Sequence, residues 1–491
     1  MYDVPIMRIS QLSTNKSATP STLTTFILFV CLIGMSIAII NQKMIIALAI
    51  IAFPSMMVCF FYGFAKPSFI LILYAIYSFF FTTISRYIHV NQLSIGLDII
   101  LFWGFLSIIT INYLRKGSFA WNQVINMLTI SYIPWAFYCI YQIGNPKLTH
   151  DGFVELLRVW IYRTILLYIF LSLLTGTRKS LRIALDIVGF FTVLAFLKAL
   201  WQKYVGFDAA EQYFLFVEGG ARTHLIYSGD RYFSYFTDAA NFGSFTAAMG
   251  LVYGIIGFNT PKWPRKIWYF TVSATGFYCM FISGTRGAMI IPLSGMMLYC
   301  LLCKNIKIFS LTSICGILFF SFFSFTTIGD SNPYIRRART AFHSSEDASM
   351  IVRLNNRKEI AQYLAVNPLG TGFKGSISKW WPQKDGTYQL GTLPSDSYFV
   401  RIWIETGKTG LILYILMCGI LVIEGCRIVL FRIQNKQLRH TFAAFTCACL
   451  GIWVSGYTGD SLGLPPTNFV IPAMMAFVMN GPYIDKEFTN G

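Results

Sequence analysis

The sequence predicts an all-α protein, a polytopic bundle of about 12–14 transmembrane helices with one large extracytoplasmic loop that carries helices of its own. Hydrophobic residues make up 55% of the 491 positions and charged residues only 12%, which is about half of their share in soluble domains. The apolar runs are continuous and roughly 17–22 residues long, a length that indicates helices rather than barrel strands. One polar insert, 329–408, interrupts them.

The predicted spans follow from these apolar runs. They cover residues 23–41, 44–62, 68–85, 95–114, 124–143, 160–176, 183–201, 239–258, 267–284, 287–303, 308–328, 409–426, 441–457 and 464–481. The predicted organisation is a bundle over 1–328 with an outer loop near 202–238, the large loop over 329–408, and C-terminal helices over 409–491.

Lysine and arginine alternate between the connecting segments in the positive-inside pattern. With the N-terminus inside, the inner segments are rich in these residues and the short outer loops are poorer. We therefore expect both termini in the cytoplasm and the insert on the extracytoplasmic side of the membrane. The net charge of +18 fits cytoplasmic loops and anionic membrane lipids, with a share for substrate. Basic runs interleaved with aromatics are lacking, so nucleic acid is not an expected partner.

The insert contains eleven Lys and Arg against seven Asp and Glu, which suggests a phosphate-bearing partner. Glu346–Val366 reads as a helix that Ser345 or Asp347 could cap, and Asn367–Pro368 ends it. Arg353 and Arg357 are one turn apart on this helix and share a face. We predict that both bind substrate.

Arg286 lies in Ser283–Gly287, a stretch of small residues between two spans. A guanidinium group matches phosphate oxygens in a bidentate fork, so Arg286 is a candidate catalytic residue. The alternative is an arginine at a helix end whose charge reaches the membrane surface.

Arg231 opens a second stretch, 229–243, that enters the eighth span from outside. It is the second candidate catalytic arginine, and Asp238 and Asn241 are candidate substrate ligands one turn apart. An interfacial aromatic belt with one anchoring charge is the alternative.

Asp396 lies in Ser395–Phe399 and is the candidate general base, because its carboxylate can accept a proton from a sugar hydroxyl. The alternative, which does not exclude that role, is a helix N-cap at Ser395 or Asp396. Arg401 follows as a predicted substrate ligand. His224 and His343 lie in outer segments as possible bases, with His343 counted among the substrate ligands, although a lone loop histidine is more often solvated. Neither a metal site nor a cofactor motif is expected.

In this order, these stretches resemble the bacterial O-antigen polymerase and O-antigen ligase superfamily. The resemblance rests on Arg231 with 238–243, on Ser283–Gly287, on 367–372, and on 396–398 leading to 405–411. It covers about 200–491 and implies a membrane glycosyltransferase whose donor is an undecaprenyl-pyrophosphate-linked glycan. The acceptor is lipid A core in ligases and another lipid-linked repeat unit in polymerases, and a chain-length regulator is a further implied partner.

One departure favours polymerase. Ligases of the family carry His-Asn before Ser-Tyr, whereas this chain has Ser395 and Asp396 there. We therefore predict metal-independent polymerisation of O-antigen, capsule or exopolysaccharide repeat units. Arg231 and Arg286 would hold the pyrophosphate, and Asp396 would deprotonate the attacking hydroxyl. The alternatives are an O-antigen ligase, a flippase for lipid-linked oligosaccharides, and a structural assembly subunit.

Overall fold

A computed structural model describes residues 56–88, 93–114, 119–226, 229–303, 306–339, 348–382 and 387–489. The chain divides into two compact units, Met1–Ala65 and Lys66–Gly491. In the first unit the described residues form one apolar helix, α1 (Met56–Ala65). The predicted span 23–41 and most of 44–62 lie outside the described residues.

The second unit is almost entirely helical. Up to the insert its helices are α2 (Pro67–Ile88), α3 (Ser94–Leu114), α4 (Met127–Ile130), α5 (Tyr132–Tyr141), α6 (His150–Glu155), α7 (Thr164–Leu174), α8 (Arg178–Tyr204), α9 (Ala209–Phe216), α10 (Ala221–His224), α11 (Ala239–Phe258), α12 (Trp263–Ile282), α13 (Ile290–Cys303) and α14 (Ile306–Phe325). A π-helix, Leu156–Arg163, joins α6 to α7, and 3-10 turns form at Trp121–Val124, Gln142–Gly144 and Arg286–Met289. A short antiparallel pair, β1 (Leu225–Ile226) and β2 (Gly229–Asp230), follows α10.

The remaining helices are α15 (Pro333–Arg339), α16 (Ala348–Val366), α17 (Tyr398–Phe431), α18 (Lys436–Ser455), α19 (Thr467–Met479) and α20 (Gly481–Thr489). A hairpin of β3 (Ser378–Pro382) and β4 (Tyr388–Thr392) lies between α16 and α17, with Trp380 opposite Leu390. Within the described ranges, seven helical stretches are long and apolar enough to cross a membrane. These findings confirm the all-α polytopic bundle.

Helix α11 lies at the centre of the bundle, and 89% of its most apolar 18-residue stretch is buried. Its partner α12 approaches so closely that a side chain on Gly276 would contact the Thr246 carbonyl at 2.8 Å. Small residues at such positions let helix backbones approach within a membrane. The N-terminal end of α11 is therefore held firmly, and the candidate residues Arg231 and Asp238 lie there.

The prediction of one continuous span over 124–143 is wrong. The Asn126 side chain accepts hydrogen bonds from the backbone of Leu128 and Thr129 and starts a new helix at Met127. Ser131 then separates the short helix Met127–Ile130 from Tyr132–Tyr141. The end of this stretch, at Gln142 and Asn145, reaches the loop that follows α16.

The insert has a small apolar core of its own, formed by α16, the hairpin and the start of α17. Its buried members are Ile360, Leu364, Ile377, Leu393, Val400 and Ile404. Lys379 on the hairpin binds Glu359 on α16 at 2.6 Å. The predicted end of α16 at Val366 is confirmed, and its predicted start and caps lie outside the described residues. Helix α17 begins at Tyr398, within the predicted loop 329–408, so Arg401 is helical.

Candidate functional site

The tight turn between α12 and Arg286, the Ser283–Arg286 turn, brings together several arginines. Gly284 adopts φ +59, a left-handed conformation that favours glycine. Arg231 reaches this turn from the preceding loop. Its guanidinium donates to the Ser283 carbonyl at 3.3 Å, to Thr285 Oγ1 at 3.0 Å and to the Thr223 carbonyl at 2.9 Å. The structure therefore places Arg231 beside Arg286, as predicted.

Arg337 is a third arginine at the same turn, and it comes from α15 in the insert. Its Nε donates to the Gly284 carbonyl at 2.5 Å. A side chain on Gly284 would meet both Arg231 and Arg337, at 3.2 and 3.3 Å. Three guanidinium groups from distant parts of the chain therefore converge on one turn, which we call the basic cluster: Arg231, Arg286 and Arg337.

Burial lowers the pKa of Arg231, Asp238 opposes that shift, and the neighbouring charge of Arg286 adds to it. An arginine still keeps its proton at neutral pH. The repulsion between Arg231 and Arg286 is therefore only partly offset by Asp238. A cluster of this kind attracts an anion such as a phosphate.

Arg86 on α2 fixes the segment that carries Arg231. Its guanidinium donates to the carbonyls of Phe236 at 2.6 Å and Thr237 at 2.9 Å. It also lies between the rings of Phe214 and Phe233, 4.6 and 4.5 Å from their centres. This arrangement of hydrogen bonds and cation–π contacts holds 232–238 against the bundle.

His224 is buried rather than solvated. Its Nδ1 contacts the Gly220 carbonyl at 2.9 Å, and its Nε2 accepts from the Ala239 amide at 3.2 Å. Burial lowers the pKa of His224, and the charge of Arg231 contributes in the same direction. A neutral ring with both nitrogens engaged supports the start of α11, which does not suit a role as base. His343 lies outside the described residues.

Asp238 and Asn241 make structural hydrogen bonds at the start of α11. Asp238 is the N-cap and accepts from the amides of Ala240 and Asn241 at 2.7 and 2.8 Å. Asn241 is fully buried. It donates to the Pro465 carbonyl at 2.7 Å and accepts from the Thr467 hydroxyl at 2.6 Å. Asn241 therefore joins α11 to the loop between α18 and α19.

Asp396 precedes the N-cap of α17, which is Ser397. Neither of the two residues that the sequence offered as caps, Ser395 and Asp396, has that role. Asp396 has φ +54, and its carboxylate accepts a hydrogen bond from Asn356 Nδ2 at 3.1 Å. Its position is thus set by the buried Asn356 on α16 rather than by capping.

The loop between α18 and α19, the 456–466 loop, connects these separate pieces. The Tyr398 amide donates to the carbonyls of Gly456 and Gly459 at 3.1 and 3.2 Å. Arg357 donates to the Tyr457 hydroxyl and to its carbonyl, the latter at 3.2 Å, and its guanidinium lies 4.2 Å from the ring centre. The predicted ligand Arg357 therefore lies against this loop, and Arg353 lies one turn earlier, partly exposed.

The same loop also lies against Gly287, the residue after Arg286. Thr458 lies so close to Gly287, next to Arg286, that no side chain would fit on that glycine. Asp460 pairs with Arg401, with 3.2 Å between Oδ2 and Nη1. Burial raises the pKa of Asp460, Arg401 opposes that shift, and Asp238 adds to it. The 456–466 loop therefore lies beside both Arg401 and Gly287.

A second group of predicted motif residues supports a kink in α17. Gly407 has φ +69, and a side chain there would collide with the Pro368 carbonyl. At the kink, three carbonyls of α17 accept hydrogen bonds from other parts of the chain. Thr371 donates to Ile404 at 2.8 Å, Gly372 to Glu405 at 3.0 Å, and the Tyr138 hydroxyl to Thr406 at 2.7 Å. The 367–372 loop and the kink therefore interlock through backbone atoms.

Arg401 also lines a cavity of about 270 Å³. Five charged side chains line it together with tyrosine and apolar residues: Glu155, Arg163, Lys374, Arg401 and Glu405. Lys374 and Glu155 approach to 3.6 Å. Arg401 thus lines the cavity and also pairs with Asp460 of the 456–466 loop.

Residues 271–415 match the family model described as O-Antigen ligase. This match supports the O-antigen ligase and polymerase superfamily. No curated protein and no solved structure matches the chain. The family indicates a multi-pass membrane protein that acts in glycan transfer, with lipid-linked glycans and membrane lipids as its partners.

The O-antigen ligase match includes the Ser283–Arg286 turn, the insert and the kink in α17. Arg231 lies before the matched residues, and the 456–466 loop lies after them. Both nevertheless contact the matched part through the hydrogen bonds described above. The candidate site therefore extends beyond the matched segment.

The sequence analysis did not single out Arg337, Asp460 or Tyr457. Arg337 lies in the run Arg336–Arg339, where nothing in the sequence distinguishes one arginine from the next. Asp460 is an isolated acid in a short connection between two apolar stretches. An acid between two apolar stretches is a signal of function. Its partner Arg401 is 59 positions away in the sequence, and only the fold brings the two residues together.

Proposed function

We propose that the chain polymerises undecaprenyl-pyrophosphate-linked oligosaccharide repeat units at the outer leaflet of the bacterial plasma membrane. The products would be O-antigen, capsule or exopolysaccharide. The convergence of Arg231, Arg286 and Arg337 on one turn carries this proposal. With both termini in the cytoplasm, the basic cluster and the insert lie on the outer side.

The chemistry fits the cluster. Breaking a sugar–pyrophosphate bond builds negative charge on the leaving diphosphate while the sugar becomes cationic. Guanidinium groups fixed before the reaction stabilise that charge, and one such donor contributes about 3–4 kcal/mol to catalysis. In the proposed mechanism Arg231 and Arg286 hold the diphosphate and need no metal ion. Arg353, Arg357 and Arg401 bind glycan, and a carboxylate accepts the proton of the attacking hydroxyl.

Ser395 and Asp396, in the places where ligases of the family carry His-Asn, favour the polymerase over the ligase. The buried, fully bonded ring of His224 does not replace the absent histidine. The alternative of a ligase shares the donor and differs in the acceptor, which would be lipid A core.

Reconstitution tests both functions. The purified protein in liposomes receives lipid-linked repeat units, either alone or with lipid A core, in the presence of a chelator. A polymerase forms a ladder of lipid-linked glycans from repeat units alone, whereas a ligase forms one product and only with core. Formation of neither product would contradict glycan transfer by this chain.

A deletion strain separates both enzymes from a flippase. Loss of a polymerase leaves single repeat units on the carrier at the outer leaflet, whereas loss of a flippase traps the loaded carrier on the inner leaflet. Trapping of the carrier inside would support the transporter alternative.

A further inference from the structure

Asp460 combines three features that the proposed reaction requires of a base. It is an acid on the 456–466 loop, in which Thr458 lies against Gly287, the residue that follows Arg286. Its side chain is 32% exposed through atoms other than Oδ1, so a substrate can approach the side chain and reach Oδ1 after a small movement of the carboxylate. Its Oδ2 pairs with Arg401 at 3.2 Å, while Oδ1 is buried and has no hydrogen-bond partner among the described residues.

A buried carboxylate oxygen without a partner is unusual, because its loss of water is not compensated. A hydroxyl group that donates to this oxygen would restore the lost hydrogen bond. The site therefore favours a ligand that brings an O–H group to Asp460. A sugar acceptor is such a ligand.

We propose that Asp460 is the general base of the transfer, a role that rests on the proposed function. The acceptor hydroxyl gives its proton to the Asp460 carboxylate, and its oxygen forms a bond to the anomeric carbon of the donor. The bond from that carbon to the diphosphate breaks, and its electron pair leaves with the diphosphate on the basic cluster. Water then removes the proton from Asp460.

The groups around Asp460 affect the pKa of its carboxyl group. The charged groups that interact with it are Arg401 and Glu405 on α17 and Asp238 at the start of α11. Burial raises the pKa of Asp460, and the negative charge of Asp238 supports the shift. A carboxylate of raised pKa is a stronger base. Arg401 keeps it ionised and oriented, so Arg401 is a positioning residue.

Asp396, the candidate from the sequence, is the competing base. It is bonded to Asn356 at 3.1 Å. The difference between the two acids is their partner: a neutral amide holds Asp396, whereas a guanidinium group holds one oxygen of Asp460 and leaves the other unpaired.

The test compares Asp460→Asn, Asp460→Glu and Asp396→Asn in the liposome assay. We expect Asp460→Asn to lower kcat by about 10²-fold or more, with an unchanged KM for the lipid-linked donor and an unchanged unfolding temperature. Asp460→Glu should retain part of the activity. The wild-type rate should fall as the pH drops through the pKa of the base, and the residual rate of Asp460→Asn should lack that decline.

Several outcomes would overturn the assignment. If Asp460→Asn keeps an activity within about threefold of wild type, Asp460 is not the general base, because the loss of a general base has a much larger effect. Recovery of activity in the double variant Asp460→Asn with Arg401→Gln shows that Asp460 only neutralises Arg401. A large loss in Asp396→Asn alone assigns the base to Asp396. If the wild type forms no product with either acceptor, the proposed function itself fails; if only the variants disagree, the function stands without this base.

Discussion

The Ser283–Arg286 turn and the kink at Gly407 both lie in the family-matched segment, yet they use their residues in opposite ways. At the turn, side chains matter: the guanidinium groups of Arg231 and Arg337 meet at Gly284. At the kink, backbone matters: amides of the 367–372 loop bind carbonyls of α17.

This difference separates two meanings of a motif. The kink residues are small because a larger residue would not fit between two backbones, and their role is to fix the start of α17. The arginines contribute charge at a surface that can meet a substrate. Changes at the turn should therefore affect activity before stability, and changes at the kink should affect stability before activity.

The largest effect is expected at the basic cluster. Arg286→Ala should lower kcat by about 10²–10³-fold, because one fixed donor to the leaving diphosphate is lost. The kcat of Arg286→Lys should lie between those of the wild type and of Arg286→Ala, since an ammonium group lacks the bidentate fork of a guanidinium group. The liposome assay measures both, with the exposed Arg222→Ala as the control within about threefold of wild type. Full activity of Arg286→Ala would remove the cluster from the mechanism.

The next effect is expected at the kink. Gly407→Ala should destabilise the protein by about 2–4 kcal/mol, because a side chain is strained at this positive φ and collides with the Pro368 carbonyl. The midpoint of thermal unfolding in detergent measures the change. Gly419→Ala is the matched control on the same helix, where nothing lies within 4 Å of an added Cβ. Equal midpoints for the two variants would show that the kink is not needed.

Asn241 joins the 456–466 loop to α11. Asn241→Ala should destabilise the protein by about 1–3 kcal/mol, since the part-buried Pro465 carbonyl and the buried Thr467 hydroxyl lose their partner. Thermal unfolding measures this effect as well, and the exposed Asn355→Ala serves as the control. A loss of activity in Asn241→Ala at full stability would instead indicate the substrate contact expected from the sequence.

The smallest effect concerns pH. The pKa of His224 is lowered in the folded protein, so below about pH 6.5 the unfolded chain binds a proton that the folded chain does not. The contribution of His224 to stability is therefore present above that pH and is lost as the pH falls. Arg231, Arg86 and Asp238 are the charged groups that face it.

Unfolding midpoints between pH 7.5 and 5, as a practical range around the usual pKa of histidine, should show a shallower pH dependence in His224→Gln than in the wild type. The exposed His150→Gln is the control and should follow the wild type. A His150 variant that flattens the dependence, or a His224 variant that does not, would contradict the buried neutral ring.

The site was only partly accessible to sequence reasoning. Arg231 and Arg286 stood out because arginine is rare among apolar residues and its chemistry suits phosphate. Asp238 and Asn241 stood out for the same reason, but the structure shows capping and packing bonds there. An N-cap aspartate and a substrate ligand have the same residue type, and only the neighbours distinguish them.

By itself, the sequence determined the helical membrane bundle, the position of the polar insert and the basic character of the site, because apolar run length and charge are local properties of the chain. Tertiary structure alone decided that Arg337 joins Arg231 at Gly284, that Asp460 meets Arg401, and that a helix begins at Tyr398 and bends at Gly407. The Arg337–Gly284 and Arg401–Asp460 contacts join residues 53 and 59 positions apart, and the packing of helices, which no local pattern encodes, sets their distances.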